Sequence, residues 1–210
     1  MLKSITRNGL LLAAFAIICT GAIAIVNLMT KPLIAEQQQK ALLKTVDKII
    51  PKDSYDNDLF ASCFRVENDH LLGKNRQQRV FLAKKQGKNV ALIIEASTFN
   101  GYSGEIKLAI GILKNGTIAG VRVLKQTETP GLGDKILASK TNWILAFKGK
   151  SYQKTQSNRW NVKKNGGEFD AFTGATITPR AVTYAIRDAL IYVKKHKAFL
   201  FNHPPTCGAN

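Results

Sequence analysis

The hydrophobic pattern begins with an apolar run, and that run predicts a membrane-spanning helix. Residues 9–29 carry no charged side chain, and as a helix they would be about 31 Å long, enough for one crossing. Lys3 and Arg7 before the run would also suit a cleaved signal peptide, but the run is long and does not end in a convincing cleavage site. We therefore expect an uncleaved anchor, and we expect Pro32 to end the helix.

The residues after the anchor predict a second helix and then an irregular segment. Five apolar residues recur at helical spacing until Pro51 stops the pattern, which predicts a juxtamembrane helix over residues 31–51. Residues 52–76 are polar and mixed, so irregular structure is expected there. The apolar residues of the helical stripe are Leu42, Leu43, Val46, Ile49 and Ile50.

The middle of the chain alternates apolar and polar residues and predicts an antiparallel sheet. A turn at Gln86-Gly87 separates the first two predicted strands, and Asn115-Gly116, typical of a type I′ hairpin, separates the last two. Helical patterns precede and follow the sheet, so we predict an α+β fold. It would have an N-terminal transmembrane helix and one domain with a central antiparallel sheet flanked by helices. The predicted strands are residues 79–83, 89–96, 105–113 and 118–124.

A turn that runs into a helix is predicted near residues 170–180. Gly174 allows the backbone to bend, Thr178 is a plausible N-cap, and Pro179 suits the first helical position. Thr176 would then lie just before a helix N-terminus, where unpaired N–H groups favour an anion. A threonine-rich cap without a ligand is the alternative.

A glycine-containing loop is the second segment with candidate chemistry. Pro130, Gly131 and Gly133 predict a loop within residues 125–135. Glycines let the backbone approach a flat ligand closely, although a plain connecting turn explains the same residues. Trp143 follows and could line such a ligand, or it could belong to the core.

Composition and motif content exclude several function classes. The net charge is +17, but the basic residues are spread without a long run or an aromatic ladder, which favours a basic surface near a membrane over nucleic-acid binding. The sequence has no GxGxxG, no GxxxxGK[ST] and no Ser-His-Asp or Cys-His arrangement, so a nucleotide fold or a hydrolase is not indicated. It has no CxxC and no metal-ligand spacing, so we expect no metal site.

The string Asp-Ala-Phe-Thr-Gly-Ala-Thr at residues 170–176 resembles a known motif. It is similar to the flavinylation motif of the FMN-binding subunits of the Rnf electron transport complex and of the Na+-translocating NADH:quinone reductase. The resemblance implies that Thr176 carries FMN through a phosphoester bond made by a flavin transferase. Asp170 could bind a metal or substrate during that transfer, or it could hold the turn by an Asx hydrogen bond.

Two further segments strengthen this resemblance. Residues 128–133, Glu-Thr-Pro-Gly-Leu-Gly, are similar to a second family signature, which implies that they help to bind the isoalloxazine, and residues 101–104 resemble a third. The length of the chain favours the G subunit of an Rnf-type complex. The candidate cofactor-binding residues are Thr173, Gly174, Ala175, Thr176, Glu128, Thr129, Gly131, Leu132, Gly133 and Trp143.

The function implied by the resemblance is a membrane-anchored flavoprotein subunit that relays electrons through covalent FMN in an Rnf-type ion-translocating complex. Other membrane and iron-sulfur subunits, a flavin transferase and membrane lipid are the implied partners. The FMN subunit of a Na+-translocating NADH:quinone reductase and a non-redox, basic, membrane-anchored binding module are the alternatives.

The resemblance also implies a topology. Residues 1–30 would form a cytoplasmic N-terminus and the anchor in the bacterial inner membrane, and residues 52–210 would form an FMN-binding domain in the periplasm. Cys63 and Cys207 could form a disulfide in that oxidising compartment.

Overall fold

The computed structural model describes residues 2–67, 69–73 and 77–207. It divides into two compact units, Met1–Lys44 and Thr45–Asn210. Residues 68 and 74–76 of the segment expected to be irregular lie outside the described residues, as do residues 208–210 of the expected FMN-binding domain.

One long helix, α1, covers Leu2–Asp47 and contains Pro32. Within it, Ile5–Ile34 is long and apolar enough to cross a membrane, with a mean hydropathy of 2.6. The expectation that Pro32 ends the helix is wrong, and the segment expected as a separate juxtamembrane helix continues α1. Proline removes one backbone donor, whereas the residues that follow it are mostly good helix formers and include a Glu36–Lys40 ion pair.

The second unit is built on a five-stranded sheet in which every strand pairs antiparallel with the next one along the chain. This sheet and its helices confirm the predicted α+β class. The strands are β1 (Cys63–Val66), β2 (Gln78–Lys85), β3 (Lys88–Thr98), β4 (Ile106–Leu113) and β5 (Ile118–Lys125). The helices that follow are α2 (Ile177–Lys195) and α3 (Lys197–Asn202), and short 3₁₀ helices include Gly133–Ile136 and Trp143–Phe147.

Strand β1 corrects the expectation of irregular structure before residue 76. It pairs with β2 through Cys63 opposite Phe81, and it buries Phe64 and Val66 while Arg65 stays exposed. Four residues are too few for their alternation to stand out from a polar surrounding.

Both faces of the sheet are covered. On one face the isoleucines and leucine of β4 at positions 106, 108, 110 and 112 belong to the same buried cluster as the apolar side of α2. On the other face Ile49 lies against Gly111 and Gly120, where an added Cβ would come within 2.3 Å of the Ile49 Cγ2 atom and 3.1 Å of the Ile49 carbonyl oxygen, respectively. These two glycines therefore let the residues after α1 pack directly on the sheet.

The two hairpin turns differ from each other. Gln86 and Gly87 both have positive φ, 51° and 73°, as a type I′ turn requires. At Asn115-Gly116 only the glycine has a positive φ, 90°, so the expected type I′ turn is wrong there. The Asn115 Oδ1 atom accepts a hydrogen bond from the Thr117 N–H at 3.0 Å, and this Asx bond holds a three-residue loop that ends with glycine in the left-handed region.

Each edge strand of the sheet is joined to another part of the chain. At β1 a disulfide links Cys63 to Cys207, 144 residues later in the sequence, and the Cys63 carbonyl accepts hydrogen bonds from the Thr206 and Cys207 N–H groups. At β5 the Ile118 N–H donates to the carbonyl of Lys150, and the Ile118 carbonyl accepts from the N–H of residue 149, both at 2.8 Å.

Candidate functional site

The candidate site begins at the N-terminus of α2. Thr176 occupies the N-cap position, with φ −80° and ψ −21°, and its side chain makes no capping hydrogen bond in the described part of the chain. The expectation that Thr178 is the N-cap is wrong, because this residue lies in the first turn and is fully buried. Its hydroxyl donates to the Glu128 Oε2 atom at 2.5 Å, since a carboxylate is a stronger acceptor than a neutral group.

A tight turn presents Thr176 to this helix start. The Ala175 N–H donates to the Phe172 carbonyl at 3.0 Å, and Gly174 has a φ of 78°, which a type II turn requires at its third position. Thr173 occupies the exposed second position of the turn. The turn sequence is therefore consistent with the bend expected at Gly174.

Asp170 precedes the turn and is largely exposed. Its carboxylate pairs with Lys163, with 2.6 Å between Oδ1 and Nζ, and both side chains are more than half exposed, at 69% and 62%. Within the described residues this carboxylate forms no Asx hydrogen bond, so that expectation for Asp170 is wrong. The side chain thus points to solvent and does not hold the turn.

The second predicted segment, residues 126–133, forms a loop around one buried carboxylate. Glu128 is only 4% exposed. In addition to the bond from the Thr178 hydroxyl, its carboxylate accepts a hydrogen bond at Oε1 from the Ser103 N–H, at 3.1 Å. The Thr129 carbonyl accepts from the Leu132 N–H at 3.1 Å and closes the turn that contains Gly131. Three separate segments of the chain therefore meet at Glu128.

These segments enclose a cleft of about 350 Å³. Most of the predicted cofactor-binding residues lie on its wall. The wall joins distant parts of the chain, since Glu128 and Thr178 are 50 residues apart in sequence. Thr173 and Gly131 lie in the adjoining turns and do not line the cleft. The lining residues are Tyr102, Glu128, Thr129, Leu132, Gly133, Gly174, Ala175, Thr176, Ile177 and Thr178.

Trp143 lies outside both the cleft and its adjoining turns. Its indole N–H donates to the Asp170 carbonyl at 2.8 Å, and its ring packs edge-on against Phe147 and Phe172, with 5.3 Å between centroids in each case. It borders a separate depression of about 500 Å³ and not the cleft. Trp143 therefore supports the segment that leads into the turn.

Sequence reasoning missed three lining residues, Tyr102, Ile177 and Thr178. Tyr102 lies within the glycine-flanked segment 101–104 that carried part of the resemblance, so a signal for it was present. Ile177 directly follows the motif. The role of Thr178 could not be read from the sequence, because its partner comes from a distant loop.

The chemistry of the cleft suits a flat ligand with an anionic end. Tyr102, Leu132 and Ile177 line it and keep 72%, 41% and 40% of their surfaces exposed, so they can cover an aromatic ring. The first-turn N–H groups of α2, which as in any helix have no partner within the helix, lie next to the N-cap residue Thr176 and favour a phosphate.

Comparisons with known proteins agree with this chemistry. Residues 101–191 match the family model of an FMN-binding domain, and residues 1–49 match that of the RnfG N-terminal region. A relative from Shewanella amazonensis, named as the G subunit of an ion-translocating oxidoreductase complex, is 49% identical over 212 residues, covering 100% of this chain and 99% of the relative. Relatives of the same name from Vibrio cholerae and Shewanella piezotolerans are 46% and 43% identical over 207 residues, covering 99% of this chain and 99% and 98% of the relatives.

Proposed function

The chain belongs to the family of the G subunits of ion-translocating oxidoreductase complexes, and we propose that it relays electrons through FMN attached to Thr176. It is an FMN-binding subunit of an Rnf-type complex, with one N-terminal helix that suits a membrane anchor. The resemblance to the Rnf-type subunit is thereby confirmed. The matched relatives are named as G subunits of ion-translocating oxidoreductase complexes. Their name favours electron relay in an Rnf-type complex over the role of a quinone-reductase subunit or a non-redox binding module.

The cleft has features that FMN requires. Its volume of about 350 Å³ lies within the usual range of small-molecule sites. Apolar side chains flank it, and Gly133 and Gly174 contribute backbone without a Cβ. FMN supplies the electron-transfer chemistry when bound, and the protein supplies attachment, orientation and electrostatics.

Thr176 is the attachment point that the geometry supports best, and this carries the proposal. The motif and the helix start offer three hydroxyls. The Thr178 hydroxyl is buried and bonded to Glu128, whereas Thr173 is exposed and does not line the cleft. The Thr176 side chain lines the cleft and is not used as a cap.

The weak hold of a helix terminus on an anion is a reason for the bond to be covalent. A phosphodiester at Thr176 keeps one negative charge, which an exposed helix N-terminus stabilises by about 0.3–1 kcal/mol. That free energy alone is too small to retain FMN, and a phosphoester would keep it in place without altering the isoalloxazine. A flavin transferase is the implied maturation partner.

The location of the second unit is the remaining part of the proposal. We place this unit in the periplasm, anchored to the bacterial inner membrane, beside the other subunits of the complex and the lipid surface. The Cys63–Cys207 disulfide supports this location, because disulfides persist in oxidising compartments.

Thr176→Ala tests the attachment, with Thr173→Ala as the matched control. Each full-length variant is produced together with a flavin transferase and examined by flavin fluorescence in a denaturing gel and by intact mass. We expect Thr176→Ala to lose the mass of one FMN less one water while still folding and inserting, and Thr173→Ala to retain it. Thr176→Ser keeps a hydroxyl and should retain part of the flavin. A fluorescent Thr176→Ala band would refute the assignment.

A further inference from the structure

We propose that Glu128 is a positioning residue whose carboxylate holds the walls of the FMN cleft together. The proposal rests on the proposed function, because it concerns the same cleft. The family resemblance implied that this residue helps to bind the ring. The structure points to a further role, in which Glu128 acts through its neighbours.

The two carboxylate oxygens of Glu128 bond to two different wall segments. Oε2 accepts from the Thr178 hydroxyl at 2.5 Å, in the first turn of α2, and Oε1 accepts from the Ser103 N–H at 3.1 Å. The residue is only 4% exposed. A buried carboxylate needs such donors to offset its lost hydration, so these segments are held at fixed distances from it.

Two glycines are packed against the same carboxylate. A Cβ added to Gly101 would lie 2.6 Å from Glu128 Oε1, and one added to Gly133 would lie 2.6 Å from Oε2. Neither glycine has a positive φ, so the backbone conformation alone does not require glycine at either position. The close approach to Glu128, together with Ile106 Cδ1 at 2.8 Å from the added atom at Gly101 and Thr178 Oγ1 at 3.0 Å from the one at Gly133, therefore disfavours a side chain there.

Each segment bonded to or packed on Glu128 also carries a side chain of the cleft wall. Ser103 follows Tyr102, Gly133 follows Leu132, and Thr178 lies in the same turn as Ile177. A second bond, from the Thr127 hydroxyl to the carbonyl of Ser103 at 2.5 Å, strengthens the link between the two loops. Fixing these backbones sets the distance between the apolar walls and the orientation of Thr176 toward them.

The role of Glu128 is tested by measuring how tightly an attached flavin is held. Glu128→Ala, Glu128→Gln, Thr178→Val and Thr178→Ser are each produced as full-length protein with a flavin transferase. Intact mass reports attachment, and the fluorescence anisotropy and visible circular dichroism of the flavin report its order. Thermal unfolding is recorded in parallel.

We expect Glu128→Ala and Thr178→Val to keep the covalent FMN but to lose at least half of the visible dichroism and to lower the anisotropy. Glu128→Gln loses the negative charge that strengthens both hydrogen bonds, although its amide can still accept from Ser103 and donate to the Thr178 hydroxyl, so it should fall between these variants and the unaltered protein. Thr178→Ser restores the hydroxyl and should restore both flavin signals.

A matched control separates positioning from general stability. Glu95→Gln disturbs a buried ion pair within the sheet and does not line the cleft, so it should lower the melting temperature and leave the flavin signals unchanged. If Glu128→Ala does not accumulate, the same readouts on Thr178→Val test the proposal, because this variant removes only one hydroxyl. Unchanged dichroism and anisotropy in Thr178→Val would overturn the proposal, whereas unaltered protein without FMN at Thr176 would overturn the proposed function instead.

Discussion

Replacing Gly133 by alanine should disturb the cleft, whereas the same replacement at Gly131 should not. At Gly133 the new Cβ would lie 2.6 Å from the Glu128 Oε2 atom, 2.8 Å from the Glu128 Cβ and 3.0 Å from the Thr178 Oγ1 atom. Ordinary contact distances begin at 3.4 Å, so these atoms must move apart by several tenths of an ångström. A Cβ added to Gly131 would have no other heavy atom within 4 Å outside its chain neighbours, but the φ of this residue is 77°.

The two variants are expected to lose similar stability for different reasons. Overpacking at Gly133 costs about 1–3 kcal/mol, and a Cβ in the left-handed region at Gly131 costs about 1–2 kcal/mol. In a protein of this size each kcal/mol lowers the melting temperature by about 2–4 °C. Melting temperature alone therefore does not distinguish the two variants.

The flavin signals do distinguish them. Because the Gly133 side chain would displace Glu128 from Thr178, Gly133→Ala should reduce the visible circular dichroism of the attached flavin, and Gly131→Ala should leave it unchanged at the same temperature. Both measurements are made well below the melting transition. Equal losses in the two variants, or no loss in either, would refute the reasoning that Gly133 is glycine because Glu128 lies against it.

Two further predictions concern stability and compartment. Burial alone would raise the pKa of Glu95, but hydrogen bonds from Arg79 and Lys107 lower this pKa below its ordinary value. The Glu95 carboxylate therefore stabilises the fold above about pH 4.3, and this stabilisation is lost as the pH falls through the pKa of the folded state. Glu95→Gln should therefore lower the free energy of unfolding at pH 7 by about 3 kcal/mol and flatten its dependence on pH in the acid range; an acid-unfolding curve like that of the unaltered protein would contradict this. In intact cells Cys63 and Cys207 should resist alkylation until a reductant is added, and Cys63→Ser should cost up to about 5 kcal/mol; labelling of both thiols without reduction would argue against the periplasmic placement.

The sequence predicted those parts of the fold that depend on local periodicity. The alternation along β4 was clear because Ile106, Leu108, Ile110 and Ile112 all face one core. The candidate chemistry was also visible, since the motif around Thr176 and the loop around Gly131 are contiguous strings. The structure brings these two strings to one cleft, which no local pattern could show.

The predictions that were wrong depended on distant contacts or on weak local rules. Thr178 has the ordinary sequence features of an N-cap, but its hydroxyl donates a hydrogen bond to the carboxylate of Glu128, 50 residues away in sequence. The preference of Asn-Gly for a type I′ turn was overridden where the Asn115 Oδ1 atom accepts a hydrogen bond from the Thr117 N–H. Pro32 lost one backbone bond without ending α1, because the residues around it favour helix.

The edges of the sheet affect how the domain meets the other subunits of its complex. An unpaired edge strand is a template to which another chain can add a strand. Here β1 has only four residues and its Cys63 carbonyl is occupied by the C-terminal segment, while both backbone groups of Ile118 on β5 are bonded to residues 149 and 150. At these two points strand addition is blocked, so a neighbouring subunit that meets the domain there is expected to do so through side chains, and such a contact can form and separate without opening the sheet.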